Sequence, residues 1–380
     1  MIRRVQAFLT ICLLLLVQNS WAHKASDSYL QIQQDGSILN VVWDVALRDL
    51  DALLFLDTNQ DGQLTWGEIR TRSENIETFL QSQLTLQLGE NRCEWLGRSE
   101  PIGLVQHSDG FYAAQHWLMS CNGAQINDAL TIDYRLLKGI DSLHRGLLSI
   151  STDNGFITTI LRPDQGPIVL DGNETLWHTF TRFLEEGVHH LLTGYDHVLF
   201  LLCLLLPACL TRKANQWLPS QSFRSAFLHT AGIVTAFTVA HSVTLALAAL
   251  QLVNLPSRWV ESAIAASIIL AAVHTVKPIF ISSRALIAGV FGLIHGFGFA
   301  GVLQGLPLTT GPQLSALAGF NIGVELGQLL VVVLVFPLLW WSRNSRFYRQ
   351  LFMPIVSVLI ALVALLWLLQ RVFEWQLIPG

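Results

Sequence analysis

Charge is what this sequence has least of. Only 13% of its 380 residues are Asp, Glu, Lys or Arg, against 52% hydrophobic, which is too apolar for an ordinary soluble protein. The net charge is −4 with Lys and Arg scattered, so no basic face for nucleic acid is present. There is no Walker-type glycine loop, so the chain shows no nucleotide-driven engine, and no H-E-x-x-H box of the kind that marks helix-borne zinc hydrolases. Cysteine is sparse at five residues.

What is abundant is apolar sequence, unevenly placed. Up to about Glu186 polar and apolar residues alternate; beyond it, long apolar runs are separated by short basic loops. At the start, Arg3 and Arg4 precede an apolar run from Phe8 to Val17 and small residues around Ser20-Trp21-Ala22. That pattern reads as a signal peptide over residues 1–22, too short to span a bilayer comfortably. Cleavage leaves His23 as the first residue, where an amine and an imidazole together chelate metal. Export makes Cys93 and Cys121 a plausible disulfide. His107, His116 and His144 raise the alternative of metal capture in the same region, although solvent-exposed histidines are the simpler reading.

Six apolar stretches are long enough to cross a bilayer, near 188–210, 226–253, 259–276, 284–306, 314–341 and 351–371. If the preceding domain is exported, the first runs inward. Loops on the inner side then carry Arg212, Lys213, Arg224, Lys277, Arg284, Arg343, Arg346 and Arg349, and the outer segments only Arg258 and Arg371. That asymmetry is the one expected of an inner-membrane protein with both ends of the bundle outside. A segment at 173–187 reads as an amphipathic helix lying on the membrane, and 372–380 as an outer tail.

Ionisable groups inside the spans are costly unless they face protein, water or an ion. His190, Asp196 and His197 fall in the first span, His241 in the second, Glu261 and His274 in the third, His295 in the fourth, and Glu325 in the fifth beside Asn321 and Gln328. At 1.5 Å per residue, His197, His241, His295 and Glu325 lie roughly 14–18 Å deep, near the midplane. Imidazoles and a carboxylate at one level suit a borderline divalent cation such as nickel, cobalt or zinc. His190 and Glu261 near the outer surface and His274 near the inner one then read as stations on a path. The plain alternative is that these side chains hydrogen-bond helices together. Glycines at four-residue spacing, Gly292 and Gly296 on the fourth span and Gly319, Gly323 and Gly327 on the fifth, mark close helix packing. On the fifth they lie opposite the Asn321/Glu325/Gln328 face.

His190-x5-Asp196-His197, followed by Val198-Leu-Phe-Leu, resembles the H-x5-D-H signature of the HupE/UreJ family of nickel and cobalt permeases, in particular the branch with a large exported N-terminal domain. Phe237-Thr-Val-Ala-His241-Ser, Phe291-Gly-Leu-Ile-His295-Gly-Phe-Gly and Phe320-Asn-Ile-Gly-Val-Glu325-Leu-Gly-Gln328 resemble that branch's other segments, over roughly 176–380. Two groups of the family's later motif are absent. Phe291 stands where its first histidine would be and Gly298 where its glutamate would be, so the metal stays open among nickel, cobalt and zinc.

Over residues 23–172, short alternating runs such as Leu39–Ala46, Leu84–Leu88, Ala113–Met119, Leu130–Leu136 and Leu147–Thr152 predict a mainly-β sandwich. A helical insert carries Asp57, Asn59, Asp61, Gln63, Thr65 and Glu68 in the spacing of an EF-hand calcium loop, with Gly62 at its sharp turn. The expected whole is a β sandwich with a calcium-binding insert, followed by an all-α six-helix membrane bundle (188–371) that moves a divalent metal. It is a carrier rather than an enzyme. An intramembrane metalloenzyme, or a bundle that merely anchors a calcium-binding sensor domain, are the competing readings.

Overall fold

The strands follow from alternation. In β2 (Ile38–Ala46), Val41, Trp43 and Val45 point into a core and are fully buried, while Asp44 and Ala46 face the other way. β2 pairs antiparallel with β1 (Asp27–Asp35) and with β6 (Gly110–Ser120). β5 (Glu94–His107) extends one edge of the sheet, and β8 (Arg145–Thr152) and β9 (Gly155–Leu161) the other, giving six strands in the order β5-β6-β2-β1-β8-β9. A second sheet, β10-β7-β3-β4, is built from β3 (Leu84–Leu88), β4 (Asn91–Arg92), β7 (Leu130–Tyr134) and β10 (Ile168–Leu170). Both sheets give side chains to one apolar core, Trp43, Val45 and Trp117 meeting Leu86 and Ile132, as a sandwich requires. Cys93 and Cys121 are disulfide-bonded. The computed structural model describes residues 27–373, apart from 108–109, 123–127, 142–143, 153–154, 171–174, 214–215, 254, 278, 280–282 and 299–309. The expected signal peptide, His23 and residues 374–380 lie outside the described residues.

Between β2 and β3 the chain forms α1 (Leu47–Leu54), α2 (Trp66–Thr71) and α3 (Ser73–Gln83). Ile69, Ile76 and Leu80 anchor the last two in the sandwich core. Thr65 caps α2, accepting from the Glu68 amide, while Glu68 reaches back to the Thr65 amide.

The C-terminal half is helical. α6 (Phe223–Ala249), α7 (Ser257–Val276), α9 (Thr310–Ser342) and α10 (Met353–Phe373, entered through a π turn at Tyr348–Phe352) contain segments long and apolar enough to cross a membrane. α4 (Leu176–Thr193) and α5 (Tyr195–Leu205) pass the same test only together, bent by 71° at Gly194. Counting that pair as one span gives five among the described residues. α8 (Arg284–His295) is apolar but shorter, and much of the rest of its expected span lies outside the described residues.

The boundary expected near residue 187 is absent. One helix runs from Leu176 to Thr193 and packs along α9 rather than standing apart. Backbones make the contact: a Cβ on Gly187 would strike the Phe320 carbonyl, and one on Gly323 the Leu184 carbonyl. The glycine side of α9 therefore meets α4. Its polar side meets α6, where Ser242 donates to Asn321 Oδ1 (2.7 Å), Thr235 to Glu325 Oε1 (2.6 Å) and Thr238 to Gln328 Oε1 (2.6 Å).

The outward face of the six-stranded sheet sits on one end of the bundle, with Tyr29, Tyr112 and Leu147 packed with Phe183, Leu245 and Phe320. At the other end the chain makes a short hairpin, β11 (Leu210–Lys213) and β12 (Gln216–Pro219). Arg212 and Arg284 lie over the Trp217 ring, while Arg349 donates to the Trp217 carbonyl and Arg343 to that of Ser220. Four of the basic residues assigned to the inner loops thus gather at the end away from the β domain.

Candidate metal centre

The bend between α4 and α5 builds the site. Gly194 has no room for a side chain, because a Cβ there would lie 2.8 Å from the His190 carbonyl and 3.2 Å from both Asp196 Oδ1 and His197 Nδ1. The turn sets Asp196 in the first turn of α5, where a carboxylate is favoured by the helix N-terminus. Asp196 Oδ1 accepts the His197 amide at 2.9 Å and lies 3.0 Å from His197 Nδ1. That contact fixes the ring and leaves Nε2 directed away.

α8 brings His295 to the same place. Its Gly292 and Gly296 lie against the α6 backbone, where a Cβ would collide with the Phe237 and His241 carbonyls respectively. His241 on α6 and His295 at the end of α8 therefore adjoin His197, with ring centroids 5.8 and 5.4 Å from it, and the His190 ring stands 4.9 Å from it. One ligand atom each from Asp196, His197 and His295 lie within 4.8 Å of one another. Ser267 of α7 fixes His295 through Nε2 at 2.9 Å. Phe200 and Phe237 pack on the His295 ring and help keep the pocket dry.

His197, His241 and His295 are at most 5% exposed. Among the described residues, His197 Nε2, both ring nitrogens of His241 and His295 Nδ1 make no hydrogen bond. A buried polar atom left unsatisfied costs about 1–3 kcal/mol, so four on three adjacent rings are a large outlay for a purely structural cluster. Imidazole lone pairs beside a carboxylate match the donor preference of a borderline divalent cation.

Other expected residues lie elsewhere. Glu325 belongs to the α6–α9 polar ladder, with Asp196 supplying the carboxylate beside the histidines. Glu261 accepts from Ser257 and, at 3.1 Å, from Arg371 near the ends of α7 and α10. His274 accepts the Ile279 amide at 3.2 Å, beside the hairpin end. Cys203 and Cys209 are buried and free. In the β domain the three histidines do not gather. His144 is buried against Tyr134, His107 is bound to Asp44 at 2.9 Å, and His116 stands 3.9 Å from Glu100. Sequence reasoning missed Ser267, whose one signal is a lone hydroxyl in the apolar run Ala265-Ala266-Ser267-Ile268.

In loop 57–68, Gly62 takes a φ of +77°. Asp57 Oδ2 accepts the Gly62 amide (2.9 Å), and Glu68 accepts from Thr58 and Thr65.

No curated protein matches the chain. Residues 168–371, more than half of the 380, match the family described as HupE / UreJ protein, from β10 through to α10. The matched region contains every histidine of the buried cluster, and the chain is a multi-pass membrane protein belonging to the HupE/UreJ family.

Proposed function

We propose that the bundle carries a divalent transition-metal ion (nickel, cobalt or zinc) across a bacterial inner membrane, binding it between Asp196, His197, His241 and His295, with His190 as the neighbouring ligand on the path. The observation that carries this reading is the grouping of ligand atoms from Asp196, His197 and His295 within 4.8 Å of one another, beside the buried His241 ring; the three adjacent imidazoles together carry four nitrogens without hydrogen bonds among the described residues. Family membership supports a carrier over an enzyme. The basic belt at the hairpin end favours that end as cytoplasmic, and the Cys93–Cys121 disulfide favours an oxidising compartment for the β domain. Both point to a periplasmic β domain.

Calcium fits loop 57–68. Asp57 Oδ1 is buried without a hydrogen-bond partner among the described residues, and the Asp61 and Glu68 carboxylates turn into the same loop. Asp57, Asn59, Asp61, the Gln63 carbonyl, Thr65 and Glu68 would hold the ion, which would pin α1 to α2.

Uptake of nickel(II) or cobalt(II) into cells producing the protein tests the proposal. The expected result is saturable uptake lost on His197→Ala; uptake unchanged in that variant contradicts it.

A further inference from the structure

Glu186 is a carboxylate with a side chain only 4% exposed, on the stretch of α4 that meets the β domain. Two arginines from that domain converge on it. Arg162, just beyond β9, hydrogen-bonds Oε2, and Arg145 of β8 stands 3.7 Å from Oε1, an atom with no hydrogen bond among the described residues. Asp27 grips the other side of Arg145, accepting at 2.9 and 3.2 Å. Burying a carboxylate is tolerable only with such pairing, and here another domain supplies it. Glu186 also lies one turn before His190. Residues four apart share a helix face about 6 Å apart along the axis, the spacing at which two side chains of one helix chelate a metal. His190 in turn adjoins His197. A cavity of about 120 Å³ lies beside Glu186, lined by Arg162, Gln165, Arg182 and Glu185 among others.

We infer that Glu186 and His190 form a first divalent-cation site, that Arg145 and Arg162 fill it as tethered cations while the β domain is docked, and that an arriving metal ion displaces them and loosens the domain as it moves on to His197. The β domain is then the gate of the bundle, and its latch is the ion the bundle carries. The inference rests on the carrier reading above.

Full-length protein in liposomes, with nickel(II) or cobalt(II) as the probe, separates the two. Glu186→Gln removes a ligand and raises the KM for uptake about tenfold, the effect of losing one charge-assisted contact. Arg162→Gln removes a competitor and lowers KM by a similar factor. An ion pair that only holds the fold shifts uptake in the same direction in both variants, and that result overturns the inference. Hydrogen exchange on the unaltered protein gives a second readout that needs no variant. Cobalt(II) is expected to reduce protection in residues 145–162 and 176–190, and unchanged protection there overturns the gate. If uptake depends on His197 while either gating test fails, the carrier reading stands without the gate. If the unaltered protein takes up no metal, both fall.

Discussion

His197 adjoins every other member of the buried cluster, and the rings of the cluster are oriented by hydrogen bonds to their neighbours. Asp196 holds one ring nitrogen, and Ser267 does the same for His295. Partners that orient a ligand typically contribute 10–100-fold to metal affinity. Ser267→Ala is therefore expected to weaken cobalt(II) binding about tenfold and, by leaving the buried His295 Nε2 unsatisfied, to cost about 1–3 kcal/mol of stability, as isothermal titration and a thermal melt can establish. In the loop of the β domain, the Thr65 amide and hydroxyl, with help from Thr58, hold the exposed Glu68 carboxyl down at about 2 from its ordinary value near 4.5. A depressed folded-state value means that its contribution to stability is complete above about pH 4.5 and is lost as the pH falls through about 2. Without calcium, the pH dependence of the urea midpoint between those limits should flatten in Glu68→Gln. An unchanged profile would show that the loop does not hold the carboxylate.

The elements that were legible in the sequence are those whose burial follows a simple period. Leu84–Leu88 alternates buried and half-buried along its length, and the long spans announce themselves by hydropathy. β5 was missed because Gly97, Pro101 and Gly103 interrupt its alternation; it is an edge strand whose register against β6 shifts three times. The bend at Gly194 was missed for another reason. A hydropathy window registers apolarity but not backbone direction, so most of α4 read as a separate amphipathic helix over 173–187, and its last turns read with α5 as one straight span beginning at 188. The glycines on α8 and α9 were legible as packing surfaces, though not their partners. They now make a sharp expectation. Gly296→Ala would push α8 off the His241 carbonyl, destabilise the bundle by about 1–3 kcal/mol as overpacking does, and separate His295 from His241. A matched loss of thermal stability and of bound metal should result. A loss of stability alone would place the cluster elsewhere.

Across the whole molecule, two bodies meet through an apolar patch around Tyr29 and Phe320 and through the charges at Glu186. Hydropathy and charge placed the two bodies and their order; the contact between them combines residues from 24 positions apart, Arg162 with Glu186, to nearly three hundred, Tyr29 with Phe320, and left no local trace. The same holds for the candidate site: its histidines were legible as costly residues in apolar helices, whereas the choice of Asp196 over Glu325 as their neighbouring carboxylate depends on how α4, α5 and α8 pack. At this scale calcium should act on the β domain. An ion at 100 times its dissociation constant stabilises the folded state by about 2.7 kcal/mol, so calcium should raise the unfolding temperature of the β domain by several degrees, reversibly with a chelator, and Glu68→Gln should abolish the rise. The most direct measurement of the central claim is X-ray absorption on the cobalt(II)-loaded full-length protein. The account predicts a coordination shell dominated by imidazole nitrogens that loses one such ligand in each of His197→Ala, His241→Ala and His295→Ala; a shell of oxygens alone, unchanged in all three variants, would contradict it.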